Sequence, residues 1–367
     1  MSKRSSYTNI SVVAFTFMWL IGFTVSLSAA EYPNNYRGIR PLGMGGAFTA
    51  ISDDENALFY NPAGLSNIST FSMGIVNPMV DVSENSIDFY RDLTDADLDD
   101  TGETTELLRK HVGEYQHLAI NWIPYVGFNV ADVGVMVAGI ASASVDAKIR
   151  DLQYPEFHPK ANWDYGFTGG ASLKVPLQGL RIGGTVKYID RESLDEVYTA
   201  ADIADDDFED RLDDDRKSGS GVSMDLGVLY ELPIESSFTT DVGLSVNNLI
   251  EMDMDDAEDI KRTINLGIAT RRSFGGFKLI GAFDILDITK SYEQDDDFMK
   301  RIHMGAELQM PVIAAIRMGF NQGYLTAGAT LDFPVVRLDF ATYAEEVGAY
   351  SGQREDRRYV GQLSIGW

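Results

Sequence analysis

The 367-residue sequence contains no cysteine and only four histidines. The absence of cysteine excludes disulfide bonds, thiolate metal sites and a lipid anchor attached through a cysteine. Basic residues are also scarce, with 30 Lys and Arg against 56 Asp and Glu, and the net charge of −26 makes nucleic acid a poor partner. The histidines are dispersed, and neither a nucleophile motif nor a phosphate-cradling loop occurs. We therefore expect no enzymatic activity, no metal site and no cofactor.

Long apolar runs are equally scarce, and the one candidate lies at the N-terminus. Lys3 and Arg4 precede an apolar core at 12–27, and small residues follow at 28–30. This arrangement is typical of a secretory signal peptide, so residues 1–30 are predicted to be removed on export. The alternative, a transmembrane helix, is disfavoured by the Ser, Thr and Gly residues that interrupt the core.

The rest of the chain is dominated by segments in which apolar and polar residues alternate. In 301–310, for example, Ile302, Met304 and Leu308 lie on one face and polar residues lie on the other, as in a strand. The links after even-numbered segments are short and those after most odd-numbered segments are long, except for a tight link near Gln322. The pattern predicts fourteen strands, at 70–80, 114–123, 132–148, 163–175, 180–190, 218–231, 238–248, 261–272, 276–287, 300–310, 313–321, 323–333, 335–344 and 357–367.

The negative charge of the chain is concentrated in the longer links. These links contain 38 of the 56 acidic residues but only 11 of the 30 basic residues. They are residues 81–113, 149–162, 191–217, 249–260, 288–299 and 345–356. Short turns at one end of the strands and long loops at the other end are typical of bacterial outer-membrane barrels. The sequence therefore predicts an integral protein of the bacterial outer membrane.

Strand length and composition favour a membrane barrel over a soluble all-β periplasmic protein, which shows the same alternation. Most predicted strands reach about ten residues, enough to cross a bilayer at a tilt. Aromatic residues near the strand ends suit interfacial girdles; they are Trp163, Tyr188, Tyr230, Tyr359 and Trp367. An even number of strands closes without leaving an edge in lipid. The predicted fold class is all-β, a transmembrane antiparallel β-barrel of about fourteen strands.

The polar faces of these strands point into the predicted lumen and carry charges of both signs. We expect most of these charges to pair across neighbouring strands and to fill the lumen. The alternative is that some of them line a polar path or hold a plug. The lumen charges are Lys174, Lys187, Asp225, Asp241, Glu307, Arg317, Asp332, Arg337 and Asp339.

A compact, glycine-rich segment precedes the first strand and is too apolar for a solvated linker. It reads GMGGAFTAISDDENALFYNPAGLS and occupies residues 43–66. Its glycines permit tight turns, its paired aspartates can cap a short helix at 56–60, and its Asn-Pro pair marks a turn. Because a barrel of this size either leaks or is plugged, we predict that residues 31–68 form a hatch inside the lumen. The predicted gate residues are Gly43, Gly45, Gly46, Asp53, Asp54, Asn61, Pro62, Ala63 and Gly64.

This segment resembles the N-terminal hatch of the FadL-like outer-membrane transporters, which include TodX-type aromatic hydrocarbon channels, and of the related PorV-type proteins. The shared pattern is a Gly-rich turn at 43–46, an Asp pair at 53–54 and Asn-Pro-Ala at 61–63. The C-terminal strand RRYVGQLSIGW ends in an aromatic residue, as outer-membrane assembly signals do, so we expect the barrel-assembly machinery to bind it. The resemblance implies a fourteen-stranded barrel at 69–367 with the hatch inside.

Two functions follow from the resemblance. Similarity to FadL-like channels implies passive uptake of long-chain fatty acids or other hydrophobic molecules through a gate formed by the hatch. Similarity to PorV-type proteins implies a barrel that does not transport but anchors or shuttles secreted protein partners at the cell surface. The acidic loops would repel a fatty-acid carboxylate. Membrane lipid and lipopolysaccharide are the expected surroundings. The acidic loops are expected to be solvated charge runs, and the alternative is nonspecific bridging to lipopolysaccharide phosphates by divalent cations.

The link 81–113 offers a possible outer groove for a hydrophobic ligand. Such a groove needs an apolar surface with few polar groups. The alternative is a solvated, partly helical loop. The groove residues are Ile87, Phe89, Tyr90, Leu93, Leu107 and Leu108.

Overall fold

The computed structural model describes residues 36–292, 297–311 and 313–366. The predicted signal peptide and Trp367 lie outside these residues. Within the described ranges, the chain forms a closed antiparallel β-barrel of fourteen strands. The predicted fold class is therefore confirmed.

Two of the strands, β1 and β2, consist of two segments each, and the other twelve are continuous. A further two-residue strand, Tyr198–Thr199, pairs with the first residues of β4. The fourteen strands are β1 (Phe71–Val76 and Met79–Ser83), β2 (Tyr115–Trp122 and Tyr125–Val130), β3 (Val133–Arg150), β4 (Glu156–Lys174), β5 (Leu180–Leu194), β6 (Lys217–Glu231), β7 (Thr239–Asn247), β8 (Thr263–Phe274), β9 (Phe277–Ile285), β10 (Ile302–Met310), β11 (Ala314–Asn321), β12 (Tyr324–Asp332), β13 (Val336–Glu346) and β14 (Glu355–Gly366).

The helices that the structure describes are short and lie outside the barrel strands. Two α-helices and one 3₁₀ helix precede β1, and the others belong to the long loops. They are α1 (Ile39–Gly43), α2 (Ala57–Tyr60), the 3₁₀ helix Pro62–Asn67, α3 (Glu84–Asp95), α4 (Thr101–Lys110), α5 (Ala200–Ile203), α6 (Phe208–Asp214) and the 3₁₀ helix Phe298–Arg301. In the described part of the chain, no helix has the length and apolar character needed to cross a membrane.

Each strand pairs antiparallel with the next, and β14 closes the barrel by pairing with β1. The first segment of β1, Phe71–Val76, places Gly74 opposite Gly366 of β14. The second segment, Met79–Ser83, places Val80 opposite Gly361. Closure leaves no open strand edge, which is the condition for placing a sheet in lipid.

The inner and outer faces of the strands differ in character. On β6, Ser223 and Asp225 point into the lumen and are buried, whereas Val222 and Leu226 on the outer face are 57% and 48% exposed. An outer face of exposed apolar residues around a polar interior is typical of a transmembrane barrel.

Several strands extend further into the long loops than their sequence pattern predicts, and β4 and β5 extend furthest. Residues 156–162 were expected in a link but belong to β4, and 191–194 belong to β5. The β4 extension contains Pro159, which cannot donate a ladder hydrogen bond and sits opposite Ala147 on β3. The loop 81–113 packs against one face of this extension and the loop 249–260 against the other. Contacts with such distant segments cannot be predicted from the alternation of apolar and polar residues within the strand.

Candidate functional site

The described part of the hatch, residues 36–68, lies inside the barrel against the inner faces of the strands. The approach is close because the wall carries glycine at the contact positions. A methyl group added at any of ten wall glycines would lie 3.1 Å or less from a hatch atom. These glycines come from ten different strands: Gly127, Gly134, Gly170, Gly183, Gly227, Gly243, Gly267, Gly305, Gly319 and Gly328. The wall therefore forms a fitted seat for the hatch over most of its circumference.

Arg40 connects the hatch to the wall. Its Nη1 atom lies 2.7 Å from Asp53 Oδ1 and 2.6 Å from Asp54 Oδ2. Its Nε and Nη2 atoms each lie 2.8 Å from a carboxylate oxygen of Glu307 on β10. Arg317 on β11 donates to the same carboxylate at 2.5 Å. Glu307 is fully buried, so the two arginines neutralise a charge that would otherwise be costly to bury.

The two aspartates that were expected to cap a helix at 56–60 both bind Arg40, and Asp54 Oδ1 also accepts a hydrogen bond from the backbone N–H of Asn56 at 2.9 Å. The helix begins at Ala57, and no side chain accepts a hydrogen bond from its first turn. Burial by itself would raise the pKa of Asp53, but Arg40 and Lys278 outweigh this effect and hold the pKa below its ordinary range. Asp53 is therefore ionised at neutral pH.

Side chains of the hatch and of the wall make hydrogen bonds with backbone groups of the hatch. Asp284 on β9 accepts hydrogen bonds from the backbone N–H groups of Phe48 and Thr49, both at 2.7 Å. The side-chain amide of Asn61 donates to the carbonyl oxygens of Thr49 at 2.9 Å and of Val228 at 3.2 Å. These bonds satisfy polar groups that the lumen would otherwise leave buried and unpaired.

All nine predicted gate residues lie in the hatch, but the structure separates them into three groups. The turn at 43–46 faces β10 to β12, and Gly45 has a φ of +67° that favours glycine. Residues 61–64 lie against the other side of the wall, where added methyl groups at Gly183 and Gly227 would meet Pro62 O and Asn61 Oδ1. The aspartate pair lies at Arg40.

The predicted lumen charges are paired in the structure. The pairs are Lys187–Asp225 at 2.8 Å, Asp241–Arg181 at 2.9 Å, Glu307–Arg317 at 2.5 Å, Asp339–Arg317 at 3.7 Å, Arg337–Glu55 at 3.2 Å, Asp332–Arg337 at 3.6 Å and Lys174–Asp132 at 3.1 Å. The side chains of Lys174 and Asp332 are 43% and 53% exposed. These two residues mark the rim at the short-turn end and not the buried lumen.

The structure does not bring the six predicted groove residues together on one open surface. Ile87 and Tyr90 are exposed on α3. The other four, Phe89, Leu93, Leu107 and Leu108, are buried in a core shared with Ala147, Ile149 and Phe157. This core fixes α3 and α4 against the outer face of the end of β3 and of residues 156–162 of β4.

A large apolar notch opens on the outer face of the barrel across β1 to β5. Its volume is about 680 Å³, and its lining includes Ile75, Pro124, Val137, Phe167 and Val186. No charged side chain is among the described residues that line it. The notch is therefore apolar like the rest of the outer face, and it can accept a lipid chain or another uncharged, hydrophobic molecule.

Backbone pairing between β1 and β2 is interrupted beside the notch. Residues 75–78 and 122–124 form no ladder with each other, and each stretch contains a proline, which lacks an N–H donor. Side chains close the gap. The amide of Asn77 donates to Ile123 O at 2.6 Å and accepts from Ile123 N at 3.2 Å, and the indole of Trp122 donates to the carbonyl of residue 75 at 2.9 Å.

Sequence reasoning missed both Arg40 and Asn77. Arg40 precedes the glycine-rich segment, and a basic residue beside an aspartate pair is a usable signal for an ion pair. Asn77 precedes Pro78, and a second X-Pro pair at 123–124 falls within the next strand. Two such pairs in neighbouring strands indicate a local break in the wall.

Comparison with known proteins supports the fold. A family model described as "F plasmid transfer operon, TraF, protein" matches residues 160–332, which is less than half of the chain. No curated protein sequence matches the chain. The CymD monoaromatic hydrocarbon channel aligns with a TM-score of 0.50 and 11% identity over 91% of this chain and 98% of that chain. The Ralstonia pickettii toluene transporter TbuX aligns with a TM-score of 0.51 and 11% identity over 90% and 98%. The chain therefore has the barrel fold of CymD and TbuX, and its resemblance to FadL-type barrels is confirmed at the level of the fold.

Proposed function

We propose that this protein is an outer-membrane channel for the passive uptake of uncharged hydrophobic small molecules. The observation that carries the proposal is the apolar notch on the outer face of the barrel. Its volume of about 680 Å³ falls within the range of about 300–1,000 Å³ that is usual for small-molecule sites. The names of CymD and TbuX, a monoaromatic hydrocarbon channel and a toluene transporter, support the same class of ligand.

The notch adjoins an apolar part of the hatch. Tyr125 and Ala138 line the notch and also pack in a cluster with Leu58, Leu65 and Ile68 of the hatch. These shared residues connect the apolar surface of the notch with the apolar cluster of the hatch. Because transfer of apolar surface into water is unfavourable, such a continuous apolar contact lowers the barrier to passage.

The gap between β1 and β2 provides a place where the wall can open. Asn77 and Trp122 bridge it with side-chain hydrogen bonds. Breaking side-chain bonds requires only rotamer changes, whereas breaking a strand ladder requires backbone separation. We therefore assign the gap as the exit from the lumen toward the notch.

An uncharged ligand is favoured over a fatty acid. The notch provides no cationic side chain for a carboxylate among its described lining residues. The six longer links repel anions because they carry 38 acidic residues against 11 basic residues. A hydrocarbon meets neither obstacle.

Uptake of radiolabelled toluene and of palmitate by cells producing the full-length protein tests the proposal. A Gly139→Phe variant fills the notch. Even a methyl group added at residue 139 would lie 3.4 Å from Pro124, so a phenyl ring must extend into the notch. Val135→Phe is the matched control, since Val135 is 43% exposed on the same face of β3 but does not line the notch. We expect toluene uptake to fall at least tenfold in Gly139→Phe and to stay unchanged in Val135→Phe. Equal uptake in both variants would exclude the notch as the route.

A barrel that anchors protein partners is the second candidate. It is supported by the hatch seat on ten strands, which favours a closed lumen, and by the acidic loops. This candidate predicts no toluene or palmitate uptake above that of cells lacking the protein. It further predicts that an exported protein co-purifies with the barrel in a salt-sensitive manner.

A further inference from the structure

The β7–β8 loop, residues 249–260, folds into the lumen at the long-loop end. We call this segment the outer plug. Two inward-facing glycines of β6 make room for it. A methyl group at Gly219 would lie 1.8 Å from Met254 O, and one at Gly221 would lie 2.7 Å from Met252 Cβ. Glycine at the contact positions therefore allows the wall to approach this loop closely, as it does for the hatch.

The outer plug turns its apolar side chains inward and its acidic side chains outward. Met252 and Met254 are 2% and 0% exposed, and they form a core with Ile260 and Ile189. The acidic residues between and beside the two methionines are exposed. Such a two-faced loop has an apolar surface that stays buried while it is seated and a charged surface that remains in water.

The outer plug and the hatch pack against a common residue of the wall. Ile140 on β3 packs against the plug core and also against the hatch cluster that includes Leu58 and Leu65. An apolar contact thus runs from the outer plug through Ile140 to the hatch and the notch. The plug occupies the part of this path nearest the long-loop end.

Glu258 holds the seated loop in place. Its carboxylate pairs with Lys160 on β4 and accepts a hydrogen bond from Asn162 at 3.3 Å. Its backbone carbonyl accepts from Arg191 at 3.1 Å, and its N–H donates to Ser193 Oγ at 3.0 Å. Burial by itself would raise the pKa of Glu258, but Lys160 and Arg191 hold it below the ordinary range.

The internal structure of the loop is simple. Met252 and Ile260 exchange two backbone hydrogen bonds, at 3.0 and 3.1 Å, so that the loop forms a short finger. The finger core relies on methionine, whose flexible side chain repacks at low cost. The finger's two internal hydrogen bonds can persist when it leaves its seat, whereas the bonds of Glu258 to β4 and β5 and the bond of Ser223 to Ile250 O must break.

We propose that residues 249–260 are a displaceable outer plug, which closes the lumen from the long-loop end and which an entering hydrophobic molecule displaces. The displacement by ligand rests on the proposed transport function. The closed position of the plug and its release do not rest on it, so the two parts can be tested separately.

Single-cysteine labelling tests the closed position, because the chain has no cysteine of its own. Ala257→Cys places a thiol in the plug core, where Ala257 is 9% exposed. A membrane-impermeant maleimide is applied to the full-length protein in lipid vesicles, and the labelling rate is measured. Adding Gly219→Ala drives the loop from its seat, whereas adding Ser220→Ala alters the neighbouring outward-facing, exposed residue.

We expect the Gly219→Ala background to increase the labelling rate at least tenfold and the Ser220→Ala background to leave it unchanged. If Gly219→Ala does not fold, Glu258→Gln, which removes the charge that pairs with Lys160, is expected to increase the rate in the same direction. Labelling that is equally fast or equally slow in all backgrounds would overturn the assignment of a plug.

Toluene tests displacement by ligand. In the Ala257→Cys protein, we expect saturating toluene to increase the labelling rate at least threefold. If Gly219→Ala accelerates labelling but toluene does not, the plug is displaceable but not by this ligand, and ligand displacement is refuted. Failure of the transport proposal is recognised independently: toluene uptake would then not exceed that of cells lacking the protein, either with the unaltered protein or with any variant.

Discussion

Replacing Arg40 with methionine tests whether the hatch is held by its charge network. The change removes a guanidinium that contacts Asp53, Asp54 and the fully buried Glu307. Removing one partner of a buried pair costs about 3–5 kcal/mol. Glu307 keeps Arg317 as a partner, so we expect about 3 kcal/mol, the lower end of that range.

The loss should depend on pH with a definite sign. In the unaltered protein, Asp53 has a lowered pKa, so its stabilisation is present above its unfolded pKa of about 4 and is lost as pH falls through the lower folded value. In the variant, burial is no longer outweighed by Arg40, and the folded pKa of Asp53 moves upward. The variant should therefore recover part of its deficit when pH falls from 8 to 4, because proton uptake by Asp53 then removes a buried charge.

Urea unfolding of the refolded barrel gives the free energy of global unfolding. Hydrogen exchange of the hatch amides gives the free energy of local opening of the hatch. Arg91→Met is the control, because Arg91 pairs with Asp88 on α3 while their side chains are 67% and 64% exposed. An exposed pair of this kind contributes at most about 1 kcal/mol. A deficit in Arg40→Met below about 0.5 kcal/mol at pH 8, or one equal to that of the control, would refute the reasoning.

Two further predictions concern packing. Gly319→Ala places a methyl group 2.4 Å from the Gly45 N atom, and we expect urea unfolding to show a loss of about 1–3 kcal/mol. Gly361→Ala, whose methyl group would lie 3.8 Å from its nearest neighbour, should change stability by less than about 0.5 kcal/mol. Phe89→Ala removes a core side chain that is 4% exposed, so limited proteolysis should show release of α3 at a cost of about 3 kcal/mol. Ile87→Ala, at a position 45% exposed, should leave the digestion pattern unchanged, and the reverse result would favour the open-groove interpretation.

The hatch motif shows which structural features the sequence predicts and which it does not. The glycine-rich segment predicts tight turns, and Gly45 has the positive φ that such a turn needs. The motif also contains the aspartates, and neighbouring residues predict only the hydrogen bond of Asp54 with Asn56 N, not the binding of both aspartates to Arg40. Capping would need only neighbours in sequence, whereas the observed contact joins Arg40 to Glu307, which is 267 residues away.

The loop 81–113 shows a similar limit. Its apolar residues predict an apolar surface, but the sequence leaves open whether that surface binds a ligand or a neighbouring element. The structure buries Phe89 and Leu108 against Ile149 and Phe157. This outcome depends on residues 156–162 of β4, which the sequence pattern does not predict as strand.

The sequence by itself determined the class of the molecule. Alternation with a period of two and the acidic loops are local consequences of a wall that has lipid outside and polar groups inside. Only the tertiary structure decided which segment fills which part of the lumen. The ten glycines that seat the hatch and the two that seat the outer plug come from ten strands that are far apart in sequence. The gap at Asn77 arises because two prolines in neighbouring strands fall at the same level of the wall, a coincidence that becomes visible only once the register of β1 and β2 is known.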